Sequence, residues 1–286
     1  MEEIKERKKR KRESRVHKIA GVSFIIVLVL FLTINILIPD QEFSEKENRS
    51  LTQRPDISLG AVSSGKYMKQ FESWQSDQFA FRQFWVVLKT KVSYLEGERK
   101  SNGVYKGKDH CLLEEIKEPD KESLEENLEA IHTFHAAHEN IPVYMCLVPN
   151  AANVWEDKLP ALAVVRNQDE QLAYVQKKLE GETNWVDMKK NLVKHKEQDI
   201  YYHTDHHWTT LGAFYGYQAF AQAAGLDTKK AEGMKPYAAA GGFNGTLSSM
   251  SGYETGYEEP MYFYYSDEMP EVVLQYVQQQ TKTATW

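Results

Sequence analysis

The residues best suited to chemistry lie in one short stretch, Tyr201-Tyr202-His203-Thr204-Asp205-His206-His207-Trp208-Thr209-Thr210-Leu211-Gly212. It holds one carboxylate and three imidazoles. Ile200, Tyr201 and Tyr202 read as strand, and Thr209 to about Ala224 reads as helix, with Thr209 or Thr210 able to cap it. The block therefore falls where a strand hands over to a helix, a place where α/β proteins form active sites. In an extended segment residues i and i+2 share a face, so Asp205 can hold one ring nitrogen of His207 while the other takes a proton. His206 then points the other way as a structural residue. The same alternation puts His203, Asp205 and His207 on one face, a ligand set for zinc or iron. A hydrogen-bonded structural knot is the third reading.

A serine acyl transfer also needs a hydroxyl and an oxyanion donor. Ser248, Ser249 and Ser251, in the Gly-rich stretch from Gly242 to Gly252, are the internal nucleophile candidates. Their flanks, Leu247 and Met250, make no nucleophile elbow. Asn150, at the carboxyl end of the apolar run from Ile141 to Val148, is a candidate oxyanion donor or a turn asparagine.

Asp205-His206-His207-Trp208 resembles the signature of the DHHW protein family, which is similar to the SGNH-like O-acetyltransferase domains of alginate-modifying proteins. Glu47-Asn48-Arg49-x-Leu51, Asp77-Gln78-Phe79-x-x-Arg82 and Gly103-Val104-Tyr105-x-Gly107-Lys108-Asp109 extend the resemblance from about Phe43 to about Gly252. In that group a D-x-H-W block supplies the acid and base of a Ser-His-Asp triad, so the resemblance implies that Asp205 orients and His207 acts as base. It implies acetyl transfer to, or esterase action on, a polysaccharide, and a membrane acyl-donor protein as partner. The relatives take their serine from a later G-D-S-like block. No G-D-S, G-x-S-x-G or K-D-S-F occurs in this sequence. The expectation is an SGNH-like, flavodoxin-like α/β domain that is C-terminally incomplete.

The elements that must position these residues follow an anchor. Residues 1–18 are rich in Lys and Arg, and residues 19–38 carry no charge over a length that spans a bilayer. That order predicts an uncleaved signal anchor with its N-terminus inside and the remaining chain outside, in contact with membrane lipid. Residues 39–65 read as a tether and 66–286 as the extracytoplasmic domain. A long helix is predicted from Lys66 to about Glu96, with Asp77 and Arg82 as a structural pair. Glycines around Val104-Tyr105 predict a hairpin. A helix over 123–138 carries a Ser123-x-x-Glu126 capping box. Apolar strands near 141–148 and 183–188 alternate with helices, which predicts a parallel sheet with crossover helices. The aromatic run Tyr262 to Tyr265 predicts a further strand.

A net charge of -6 argues against non-specific nucleic-acid binding. The lone Gly107-Lys108 lacks the spacing of a phosphate loop, and no cofactor is expected. Cys111 and Cys146 are enough for one disulfide but no disulfide framework. Cys146, inside the apolar run, reads as a small buried hydrophobe.

Overall fold

The computed structural model describes residues 2–44, 46–47, 49–228, 233–265, 272–276 and 281–285. Two compact units divide the chain, Met1–Lys89 and Thr90–Trp286.

The first unit begins with α1 (Glu2–Leu37), whose segment Arg15–Leu37 is long and apolar enough to cross a membrane. A two-residue ladder pairs β1 (Phe43–Ser44) with β2 (Arg49–Ser50), and α2 (Leu59–Ser63) and α3 (Lys66–Asp77) follow. The single helix expected from Lys66 is broken. Phe81 takes a left-handed φ of 57°, and a new helix, α4 (Arg82–Leu95), starts after it. Gln78 helps to hold the break, its Nε2 donating to the Gln41 and Thr52 carbonyls. Asp77 pairs with Arg49 rather than Arg82, through two bonds of 2.6 and 3.0 Å, and also accepts from Thr52 N. Arg82 pairs with Glu47, which also holds Arg49. Hydrogen bonds from Arg49 hold the Asp77 carboxyl well below its ordinary range, against the cost of burial. Two motifs far apart in sequence are thus one charge network. Asn48 lies outside the described residues.

In the second unit, which takes in the end of α4 from Thr90, an antiparallel sheet joins β3 (Lys100–Ser101), β4 (Val104–Lys106) and β5 (Leu112–Glu114), one strand more than the predicted hairpin. Then come α5 (Lys121–Ala137), β6 (Tyr144–Met145), α6 (Ala151–Val154), α7 (Gln168–Lys178), β7 (Asn184–Trp185) and α8 (Met188–Val193). α5 starts earlier than its expected capping box. Asp120 is the N-cap and accepts from Ser123 N at 2.8 Å. β6 and β7 pair in parallel across α7, as the alternation predicted, but each is two residues long. Among the described residues the other ladders are antiparallel, so the parallel pairing seen there is this pair. α9 (Thr210–Ala223) is capped by Thr209, whose Oγ1 accepts from Gly212 N at 3.2 Å. β8 (Lys235–Phe243) pairs with β9 (Glu259–Tyr265) around α10 (Thr246–Ser251), and β10 (Val272–Tyr276) with β11 (Thr281–Thr285). Both cysteines are free. Cys111 is buried and Cys146 half-buried, less than expected for Cys146.

The core that carries the Asp205 block joins Leu113, Ile116, Ala152, Trp155, Leu192, Ile200 and Tyr201. Burying an aliphatic side chain of this kind contributes about 2 kcal/mol. Tyr201 packs edge-on against Trp155 at 5.5 Å, and its hydroxyl donates to Pro149 O at 2.7 Å. The strand predicted over Ile200–Tyr202 is a single bridge, Tyr201 to Trp208, that closes a tight loop. Tyr202 N donates to His207 O and Thr209 N to Ile200 O. α9 lies hard against this loop. A Cβ on Gly212 would stand 2.1 Å from Ile200 O, so only glycine allows the approach. Gly212→Ala is therefore expected to destabilise the protein by about 2–3 kcal/mol, read as a lowered denaturation midpoint with helix content retained.

Candidate active site

The site is built on a loop that reverses within four residues. Asp205 Oδ1 accepts from His207 N at 3.0 Å and from His207 Nδ1 at 2.6 Å. A carboxylate bonded to the backbone two residues on makes an Asx turn. Asp205 and His207 are therefore brought together, as expected, but by a turn rather than by an extended strand face. Oδ2 accepts from Thr246 N at 2.8 Å and from Thr246 Oγ1 at 2.9 Å. Asp205 thereby caps α10, whose own N-cap residue is Gly245. A Cβ on Gly245 would stand 2.4 Å from the Asp205 Cβ.

Asp205 is buried, while 67% of the His207 side chain is exposed. Burial opposes the Asp205 charge, but the donors from Thr246 and His207 outweigh it and bring the pKa down to about 2. The result is an ionised orienter on Nδ1 and a ring whose Nε2 is open to an incoming group, the geometry of a general base. His206 does not turn away. Its ring lies 4.0 Å from that of His207, and its Nδ1 is 2.9 Å from Thr246 Oγ1.

His203 departs from the expected metal set. It is buried against Trp155 and Tyr257, with Asp199 Oδ1 3.4 Å from Nε2. Neither ring nitrogen makes a directed hydrogen bond, so Asp199 acts as a nearby charge. Among the described residues, the group whose ligand atoms lie within 4.8 Å of one another is Asp205, His206 and His207. The chain reverses between His203 and His207, so the i, i+2, i+4 face never forms. Two of the three remaining donors, Asp205 Oδ1 and His207 Nδ1, are already bonded to each other.

Glu259 and Thr246 were not legible as site residues. Buried Glu259 accepts from His203 N at 2.5 Å, Thr204 N at 3.2 Å and Thr204 Oγ1 at 3.0 Å. Burial pushes its carboxyl up, against these donors. It stands 55 residues from Thr204, and no local pattern announces it. Thr246 had one signal, its place in the Gly-rich stretch beside the candidate serines.

Those serines lie on a helix, not in a loop. Ser248 Oγ donates to Tyr253 O at 2.9 Å, Ser249 Oγ to Gly245 O at 3.2 Å, and buried Ser251 Oγ to Leu247 O at 2.6 Å. α10 does, however, hang from the Asp205 loop, with Leu247 N and Ser248 N donating to Thr204 O. Asn150 is the N-cap of α6, its Oδ1 accepting from Ala152 N at 2.9 Å. That is the turn-asparagine role.

The family described as the SGNH hydrolase-like domain of acetyltransferase AlgX matches residues 104–284, more than half of the chain, and the chain belongs to it. Three solved structures resemble parts of the chain. A DHHW family protein from Eubacterium siraeum shares 22% identity over 58% of this chain and 55% of its own, with a TM-score of 0.48. Bacillus cereus PatB1 with a sulfonyl adduct shares 23% over 63% and 62%, with a TM-score of 0.47. The O-acetyltransferase domain of Pseudomonas putida AlgJ shares 18% over 52% and 58%, with a TM-score of 0.40. The matched region spans less than two thirds of each of these chains. No curated protein matches the sequence.

The depressed pKa of Asp205 ties folding to pH. Its stabilising effect is present above the ordinary carboxyl value of 3.8 and is lost as pH falls towards about 2. Thr246→Val removes one donor to Oδ2, so the Asp205 carboxyl is expected to titrate at higher pH than in the wild type, measured by carbon-detected NMR. An unchanged titration would show that the hydroxyl does not hold the charge.

Proposed function

We propose that the chain is a membrane-anchored O-acyltransferase or esterase that acts on a cell-surface polysaccharide. Membership of the acetyltransferase family supports the substrate class. The observation that carries the reading is the 2.6 Å bond between Asp205 Oδ1 and His207 Nδ1 beside an exposed ring. In this scheme His207 Nε2 takes the proton of a serine hydroxyl as its oxygen attacks an acetyl carbonyl. The donor's leaving group departs with that proton, leaving an acetyl-serine. A sugar hydroxyl, or water in the esterase case, then attacks the acetyl group and regenerates the serine. Asp205 stays ionised and offsets the positive charge that develops on the imidazole.

The nucleophile is proposed among Ser248, Ser249 and Ser251, which share α10 with the cap that Asp205 provides, or from a second chain or domain. Asn150 is kept as the oxyanion donor in this scheme, through its side-chain amide. The parallel β6–β7 pair is read as the centre of a flavodoxin-like arrangement. Arg15–Leu37 serves as the lipid-embedded anchor, with the N-terminus cytoplasmic, the domain extracytoplasmic and a membrane protein as acyl donor. No nucleic acid takes part.

A non-catalytic carbohydrate-binding or scaffold role is the second reading. It is favoured by the commitment of the Ser248 and Ser251 hydroxyls to backbone carbonyls. Hydrolysis of a small acetyl ester by the full chain in detergent separates the two. His207→Ala is expected to lower turnover by on the order of 100-fold or more. Turnover that survives this substitution would remove His207 from the base role. A folded wild-type protein without turnover would support the scaffold.

A further inference from the structure

The first unit carries an apolar face that its own packing covers only in part. Phe84, Trp85 and Leu88 lie on one side of α4, and Phe81 stands in the left-handed turn just before it. Phe81, Phe84, Trp85 and Leu88 are 61, 59, 38 and 40% exposed. On another side of the first helical turn Arg82 pairs with Glu47. The half-buried side of this stretch is mixed, with Arg82 and Gln83 beside Val86 and Val87, while Phe84, Trp85 and Leu88 are the more exposed residues.

The outward side is tied to the apolar length of α1. Ala80 N, just before the helix, donates to Asn35 Oδ1 at 2.9 Å. The Trp85 ring lies 5.9 Å from that of Phe31. Phe31, Ile34 and Asn35 are half-buried, on a helix otherwise exposed along most of its apolar length. Phe31 stands six residues before the end of the membrane-length segment at Leu37, about 9 Å along the helix at 1.5 Å per residue, and Trp85 packs beside it. An amphipathic helix in a bilayer surface buries its apolar side by about 5–10 Å. Trp is also the side chain enriched at that level, because its indole is apolar with one polar N–H. Here that N–H donates to Ala80 O at 3.2 Å. Exposed Lys89 follows Leu88 and can reach lipid phosphates from there.

We propose that Phe81, Phe84, Trp85 and Leu88 form a second membrane contact, seated in the headgroup–acyl boundary of the bilayer that α1 crosses. The partner is a phospholipid surface. The inference rests on the anchor reading of Arg15–Leu37 and adds a fixed seat on the outer leaflet, so that the chain leaves the membrane from a held position rather than from a free tether.

The test uses the full chain in vesicles of phosphatidylglycerol and phosphatidylethanolamine, with bromine either near the headgroup or near the end of the acyl chains. Tryptophan emission is followed for the wild type and Trp85→Phe. Shallow bromine is expected to quench the wild type more than deep bromine does. Trp85→Phe is expected to lose that quenching, about one tryptophan's share of the 6 in the chain. Suppose the protein stays with the vesicles through an alkaline carbonate wash, yet both forms are quenched alike. The face then does not meet lipid and the proposal is overturned, while the anchor stands. Equal quenching with a doubled mass in detergent would overturn it in favour of a second copy as occupant. Release of the protein by the wash would remove the anchor and this proposal together.

Discussion

A carboxylate taken out of water must be surrounded by donors, and the Asp205 loop is shaped by that requirement. Asp205 has four, two on each oxygen: His207 N and Nδ1 on one, Thr246 N and Oγ1 on the other. Serving both sides forces the loop to reverse at Asp205 and forces the start of α10 to come to it. Gly245 follows from the same demand, since a side chain there would occupy the space of the Asp205 Cβ. The candidate base is oriented as a by-product of solvating its acid.

A second buried carboxylate, Glu259, holds the segment just upstream by three donors from His203 and Thr204. Thr204 is shared between the two arrangements. Its hydroxyl accepts from Gly245 N at 3.0 Å, and its carbonyl accepts from Leu247 N and Ser248 N. A loop tied at so many polar points has few alternative conformations, which keeps Asp205 and His207 at 2.6 Å. It also explains why His203 is unavailable to the site. Holding its backbone to Glu259 and Leu112 leaves its ring among Trp155 and Tyr257.

The first unit uses the same device with opposite charges. Arg49 bridges Glu47 and Asp77 in a planar two-bond contact that lysine cannot reproduce. Here the acids are partnered mainly by guanidinium, with Thr52 N a further donor to Asp77, and the network fastens a short ladder to the helix break at Gln78–Phe81. That break sets the direction in which α4 starts and hence which side of it carries Phe84 and Trp85.

Much of this was legible in the residues themselves. Twenty uncharged residues behind a basic cluster, the alternation around β6 and β7, the Thr209 cap and the pairing of Asp205 with His207 all depend on neighbours in sequence, where spacing is a direct guide to geometry. What tertiary structure alone decided depends on distant partners. The single helix over 66–96 broke because Asp77 and Gln78 found partners in the chain before them. The extended strand into Asp205 became a turn because a buried carboxylate needed donors from Thr246, 41 residues away. His206 and His203 exchanged their expected places for the same reason: a turn reverses the alternation that an extended chain would keep. Periodicity records which residues can share a face. Whether the chain stays extended long enough to use that face is decided by the polar groups it must satisfy.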